Sequence, residues 1–432
     1  MSTYAEFLAS KQRNAPSSGG DCTAEDVEPT LFDFQRHIVA WAVRRGRAAI
    51  WADTGLGKSR MQVEWARLVT EHGGRALILA PLAVAQQTIR EAAAIGVELT
   101  YAHNQSEATG RFTVSNYDRL HLFDPAAFTA VVLDESSILK ALDGKTRTAL
   151  IAAFQHTPYR LACTATPAPN DVAELGNHAE FLSASSRVEM LAAYFVHDDG
   201  GWRLKGHAGD AMWRWVSTWA LACRKPSDLG FDDTGYDLPP LSIIPELLDV
   251  DVVPDGQLFA TDLGGVGGRA AVRRLTLDAR VDRAVELATA EPDEPWLLWC
   301  GLNAEADAIT AAVPGAVNVY GSMSADDKAS ALLGFSDGQI RVLVTKPSIA
   351  GHGMNWQHCA RVAFVGLSDS YESYYQCIRR CYRYGQARPV AVHIVLSQLE
   401  SAIAANVAAK ERGAARMHDS LIRHLPRQLE TV

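Results

Sequence analysis

Beyond residue 31 the chain alternates between two hydrophobic rhythms. Short apolar runs rich in β-branched residues lie between longer stretches whose apolar positions recur every three to four residues. The runs predict strands over residues 48–52, 76–80, 130–133 and 160–164, and a second set over 296–300, 317–320, 341–345, 361–365 and 390–396. Apolar strands spaced by helices predict parallel sheets covered on both faces, an α/β architecture. The rhythm is missing from roughly 185 to 277. That stretch holds Trp202, Trp213, Trp215 and Trp219, then Arg224-Lys225-Pro226, Leu238-Pro239-Pro240 and a glycine loop, Gly264-Gly265-Val266-Gly267-Gly268. It predicts a mostly helical insert and linker. Met212, Trp215, Val216 and Trp219 recur at helical spacing, so the tryptophans are expected in a core rather than on a base-stacking surface. The expected organisation is a tail over 1–30, a first lobe over 31–184, the insert over 185–277, and a second lobe with a C-terminal helix over 278–432.

Composition narrows the reading only a little. The 432 residues are 48% hydrophobic, enough for sizeable cores. With 41 Lys and Arg against 50 Asp and Glu, the formal charge of -9 excludes a surface that is basic all over, though not a basic groove. The seven cysteines are scattered, with no paired Cys-x-x-Cys spacing, which points to reduced packing thiols rather than a zinc site. No apolar run approaches the ~20 residues needed to span a membrane, so a cytoplasmic location without membrane partners is expected.

Candidate chemistry begins at Ile50-Trp51-Ala52-Asp53-Thr54-Gly55-Leu56-Gly57-Lys58-Ser59, where a strand enters a glycine-bearing turn and a helix starts at Lys58. Thr54, Gly55, Leu56 and Gly57 would turn backbone N–H groups inward around phosphates, at a helix N-terminus whose dipole favours anions. Lys58 supplies a point charge to the outer phosphates and Ser59 a hydroxyl to Mg²⁺. Ala52 stands where the strict phosphate-loop pattern has Gly. Further on, Ala130-Val131-Val132-Leu133-Asp134-Glu135 is an apolar strand ending in two carboxylates. Asp134 suits Mg²⁺, and Glu135 suits the orientation or deprotonation of an attacking water. The implied cofactors are ATP and Mg²⁺.

With these two motifs the chain resembles the superfamily-two helicases and, within them, the Swi/Snf-type DNA translocases, particularly short phage or bacterial forms. The resemblance runs from Leu31 to about Ser397. It implies two RecA-like phosphate-loop lobes, with Gln35 in an adenine-reading segment and Pro81, Ser115, Asn116 and Thr345 against the nucleic-acid backbone. Thr164 and Thr166, in Cys163-Thr164-Ala165-Thr166-Pro167, resemble the motif that couples hydrolysis to movement. In the second lobe Ala350-Gly351-His352-Gly353-Met354-Asn355 resembles a coupling loop, with Gly353 near the nucleotide. The segment from Gln376 through Arg380 and Arg383 to Gln386 resembles the closing motif. Two departures stand out: Ser137 occupies the fourth position of the Asp-Glu box, where such enzymes usually carry His, and Ser368-Asp369-Ser370-Tyr371 replaces a Trp-Asn-Pro element.

Arg380 and Arg383 lie three apart, so on a helix they would share a face and reach one ligand. Planar guanidiniums suit the spread charge of a γ-phosphoryl group in transition. Coming from the lobe opposite Lys58, they would make turnover depend on both lobes, with Lys58, Glu135, Gln376, Arg380 and Arg383 as the catalytic set. The expected function is ATP-driven movement along DNA, double-stranded by preference, with single strands or RNA as other possible tracks. The alternatives are a strand-separating helicase, or a slow ATP-gated DNA-binding module serving a partner nuclease or replication protein.

Overall fold

The computed structural model describes residues 15–141, 144–199, 201–249, 272–351 and 354–424. Gly353 and the glycine loop at 264–268 lie outside the described residues. The chain divides into two compact units, Met1–Thr234 with Gly413–Val432, and Gly235–Arg412.

In the first unit α1 (Asp33–Arg45) leads into β1 (Arg47–Ala52), then α2 (Lys58–Val69), β2 (Ala76–Ala80), α3 (Leu82–Ala94), β3 (Leu99–Tyr101), β4 (Phe112–Asn116) and β5 (Ala130–Asp134). There follow α4 (Lys145–Phe154), β6 (Tyr159–Cys163), α5 (Leu175–Phe181), α6 (Arg187–Tyr194), the hairpin β7 (Phe195–Asp198) and β8 (Gly201–Leu204), α7 (Gly209–Val216) and β9 (Ala220–Cys223). Seven strands form one parallel sheet in the order β3-β4-β2-β5-β6-β1-β9. Strands β2 and β5 are buried along their whole length, as expected for a parallel sheet covered on both faces. Trp213, Trp215 and Trp219 are buried, and Trp219 meets Trp51 of β1 edge-on at 5.5 Å between ring centres. Offset and edge-to-face pairs of this kind add to what area burial alone contributes. The tryptophans are core.

The second unit contains β10 (Leu241–Leu248), α8 (Leu277–Ala290), β11 (Trp296–Cys300), α9 (Asn303–Ala312), β12 (Ala316–Val319), α10 (Ala325–Ser336), β13 (Val342–Thr345), α11 (Pro347–Ala350), β14 (Arg361–Val365), α12 (Tyr371–Ile378) and β15 (Val390–Ser397). Its parallel sheet has the order β10-β15-β14-β11-β13-β12. Helix α13 (Ser401–His424) follows. Ile403 and Val407 near its start are buried, and Lys410 Nζ donates to Asp369 O at 2.9 Å. Beyond residue 413 the helix belongs to the first unit, whose core includes Met417 and Leu421.

Every strand expected from sequence is present, and the two parallel sheets are those of the expected α/β architecture. The stretch expected to be mostly helical holds α6 and α7 but also β7, β8, β9 and β10. These strands carry little signal: β7 to β9 have four residues each, too few to establish a period, and β10 is interrupted by Pro245.

Candidate functional site

Strand β1 delivers the chain into the turn 53–57, where Gly55 and Gly57 take φ of 92° and 78°. Both lie in the left-handed region that costs a residue with a Cβ about 1 kcal/mol or more. At Gly57 the constraint is double, because a Cβ there would collide with Nε2 of Gln35. Gly57 is the N-cap of α2, which has neither a side-chain cap nor an acidic residue in its first turn. The first N–H groups of a helix have no intrahelical acceptor, so this terminus fits an anion. Lys58 Nζ donates to Ala52 O at 2.9 Å and Asp53 O at 3.2 Å, the loop's own carbonyls, and Ser59 beside it is half-buried.

Gln35 was expected to face a base. It is buried against the loop instead: Nε2 donates to Leu56 O at 2.9 Å and Oε1 accepts from Phe32 N at 3.0 Å. Each amide atom keeps one further hydrogen-bonding position beside these bonds.

Strand β5 ends beside this loop's helix. Asp134 Oδ1 accepts from Gln62 Nε2 of α2 at 2.7 Å and from Glu135 N at 3.1 Å. Burial, with the neighbouring Glu135 carboxylate second, raises its pKa to about 6, opposed by the Gln62 hydrogen bond and the Lys58 charge. A buried carboxylate with a raised pKa, in the unit that carries the Ser59 hydroxyl, is a hard-oxygen donor set that a Mg²⁺ ion fits, since the cation would restore the ionised form. Glu135 has φ 53° and ψ 53°, a left-handed conformation rare for any residue with a side chain. Thr164 Oγ1 lies 3.4 Å from Glu135 Oε2 and accepts from Thr166 N at 3.1 Å. Of the two expected coupling threonines, Thr164 therefore touches the candidate base, and Thr166 reaches it only through Thr164.

Sequence reasoning missed three residues here. Gln62 and Tyr117 hold Asp134, the latter by donating its hydroxyl to Asp134 O at 2.6 Å. His178 of α5 reaches the turn that follows Glu135, with Nε2 3.1 Å from Ser136 Oγ. Gln62 lies one turn into α2, on the face that packs on the sheet, and spacing could have found it. Nothing local marks Tyr117 or His178, which arrive from other elements.

In the second unit α12 ends at Ile378, so Arg380 and Arg383 do not share a helix face as expected. They still converge. Arg380 Nη1 and Arg383 Nη1 both donate to Met354 O, at 3.2 and 3.4 Å. Arg380 is buried and further tied to Gln376 O at 3.0 Å and Gln376 Oε1 at 2.7 Å, whereas Arg383 is half-buried. Gln376 is thus a partner of Arg380, itself 1% exposed.

Two of the four expected nucleic-acid contacts need correction. Ser115 is fully buried and donates to Ala102 O at 2.8 Å, and Thr345 is fully buried and donates to Val319 O at 2.9 Å. Both hydroxyls are spent inside the fold. Pro81 and Asn116, at the ends of β2 and β4, are only half-buried. Among the described residues no His, Cys, Asp or Glu cluster is arranged to hold a metal by itself, all seven cysteines are buried and free, and no helix is long and apolar enough to cross a membrane.

Residues 281–385 match the helicase conserved C-terminal domain. No curated protein matches the chain. Among solved structures it is similar to the Sulfolobus solfataricus SWI2/SNF2 ATPase core in complex with dsDNA, at 17% identity over 96% of this chain and 97% of that one, with a TM-score of 0.45. The matched domain contains the Gln376–Arg383 segment, and the glycine turn before Lys58 and the Asp134-Glu135 turn lie in the other unit: residues 281–385 are similar to the helicase C-terminal domain.

Proposed function

We propose that the protein hydrolyses ATP with Mg²⁺ to move along DNA, double-stranded by preference, in the manner of the Swi/Snf-type translocases its motifs resemble. The observation that carries the reading is the contact between Thr164 and Glu135, which joins the candidate base to the segment resembling the coupling motif. In this reading the α2 N-terminus and Lys58 bind the phosphates, and Ser59 and Asp134 hold Mg²⁺. Glu135 orients the attacking water, and Arg383 of the second unit stabilises the charge of the transferred group. Mg²⁺ supplies charge neutralisation on the phosphate oxygens. Track contacts are directed at phosphates, hence salt-sensitive and nearly blind to sequence.

The test compares ATPase rates with duplex DNA, single-stranded DNA and RNA, for the wild type and for Glu135→Gln. Duplex should stimulate most, and Glu135→Gln should retain ATP while turnover falls ~10²–10⁴-fold, the range of a lost general base. Stimulation by single strands alone, with displacement of a labelled strand, would instead identify a strand-separating helicase. Duplex stimulation with release of a triplex-forming strand and no unwinding supports the translocase.

A further inference from the structure

The turn that carries Glu135 is held from both sides by residues distant in sequence. On the side before it, Tyr117 and Gln62 fix Asp134. On the side after it, Ser136 Oγ meets His178 Nε2 at 3.1 Å, and the neighbouring Asn177 Nδ2 donates to Leu139 O at 2.7 Å. All of Ser136, Asn177 and His178 are fully buried. A left-handed conformation at a residue with a Cβ persists only where its surroundings over-determine it, and such residues gather where geometry serves chemistry.

The same helix is tied to the coupling segment. One turn before His178, Glu174 accepts from Asn170 N at 3.2 Å and from Asn170 Nδ2 at 2.9 Å. Asn170 closes the loop that starts at Thr164. Displacement of this loop therefore reaches Glu135 by two routes, directly at Thr164 and through α5 at His178. Ser137, where an imidazole would be expected in the box, reaches no farther than Glu135 O at 3.5 Å.

We propose that Ser136 and His178 form a positioning pair that holds Glu135 in its left-handed turn and links it to the 164–174 loop, the imidazole coming from α5 in place of one inside the box. The inference rests on the ATPase reading above. His178 acts neutral: its ring is enclosed, edge-on to Trp51 at 5.7 Å, and burial lowers its pKa to about 3. It touches no reacting atom and transfers no proton.

The experiment measures kcat and KM for ATP with saturating duplex DNA in Ser136→Ala, His178→Phe, His178→Gln and the double variant Ser136→Ala/His178→Phe. Phe keeps the ring and its edge contact but loses the hydrogen bond, while the amide of Gln reaches the position of Nε2. Each of Ser136→Ala and His178→Phe should lower kcat ~10-fold with KM within twofold, because orientation of the base is lost and phosphate binding is not. Gln should restore kcat to within about threefold, and the double variant should be no worse than either single one, the signature of residues acting as a unit. The pH limbs of kcat should coincide in the wild type and the Gln variant. Folded Ser136→Ala with wild-type kcat overturns the proposal, even where His178→Phe fails to fold. Additive losses in which KM and thermal midpoint move with kcat also overturn it, leaving a packing role. A wild type without nucleic-acid-stimulated turnover would refute the ATPase reading itself, a separate failure.

Discussion

The two units hold their candidate groups in opposite ways. In the first, Lys58 and Asp134 lie on short contiguous motifs at the ends of β1 and β5 and Gln35 on α1, and each is already engaged with protein: Lys58 with Ala52 O and Asp53 O, Gln35 with Leu56 O, Asp134 with Gln62. In the second, the groups follow a helix that has ended, and a single carbonyl, Met354 O, gathers both arginines. Contiguity fixes geometry in the first case and a distant backbone atom in the second. A motif in the second unit therefore mixes a buried residue that builds the loop, Arg380, with one that is half-exposed, Arg383, and spacing does not separate them.

The sharpest way to break this comparison is to treat the two arginines separately. From a buried position Arg380 donates to Gln376 O, Gln376 Oε1 and Met354 O, so Arg380→Ala removes both bonds to Gln376 and leaves Met354 O to Arg383 alone. It should destabilise the protein by about 3 kcal/mol, the scale for breaking a buried charged network. Arg383 is half-buried. Arg383→Ala should leave the thermal midpoint within a few degrees yet lower kcat ~10³-fold or more, with ATP and DNA still bound. Equal losses of stability in the two variants would mean that both arginines are structural.

A smaller effect isolates the first unit. The Asp134 carboxyl has a folded pKa of about 6 against an ordinary 3.8, so the folded protein holds its proton more tightly than the unfolded chain. Stability is then lost as pH rises through the window from about 4 to about 6. Asp134→Asn removes the penalty. Without nucleotide, its thermal midpoint should match the wild type near pH 4 and exceed it at pH 7. Adding Mg²⁺ with ATP should raise the wild-type midpoint far more than the variant's. A variant less stable than the wild type at pH 7 would show that the carboxylate is satisfied as an anion by its protein partners.

Legibility followed the same division. The stretch Ile50 to Ser59 specified a strand, a glycine turn and a helix start from adjacent residues, because Gly55 and Gly57 are needed at positive φ and the apolar stripe of α2 follows at once. Asp134 and Glu135 were readable as the polar end of an apolar strand. What sequence did not carry was direction. Ser115 and Thr345 stand at strand ends, where polar residues often face a ligand, but strand residues alternate faces, and both hydroxyls point into the unit to bond a neighbouring carbonyl. Arg380 was misplaced for a related reason: three-residue spacing implies a shared face only if the helix continues, whereas α12 ends at Ile378 and Arg380 O accepts from Trp356 N across the fold. His178 was invisible, since its role exists only through Ser136, 42 residues away.

The smallest expected effects lie at the nucleic-acid contacts. Ser115→Ala and Thr345→Val each remove a buried hydroxyl that satisfies one carbonyl, a change worth about 1 kcal/mol of stability. Because neither hydroxyl reaches the surface, DNA affinity and its dependence on salt should stay unchanged in both. Asn116 is half-buried at the end of β4, its Oδ1 enclosed and without a hydrogen-bond partner among the described residues while the rest of the side chain is partly exposed. Asn116→Ala should therefore weaken duplex binding by a few-fold while leaving the slope of log affinity against log salt the same, since no charge is removed. Filter binding or fluorescence anisotropy across a salt series measures both quantities. A loss of affinity in Thr345→Val larger than in Asn116→Ala would mean that β13 presents its end to DNA after all, and that the buried hydroxyl changes partner when the track is bound.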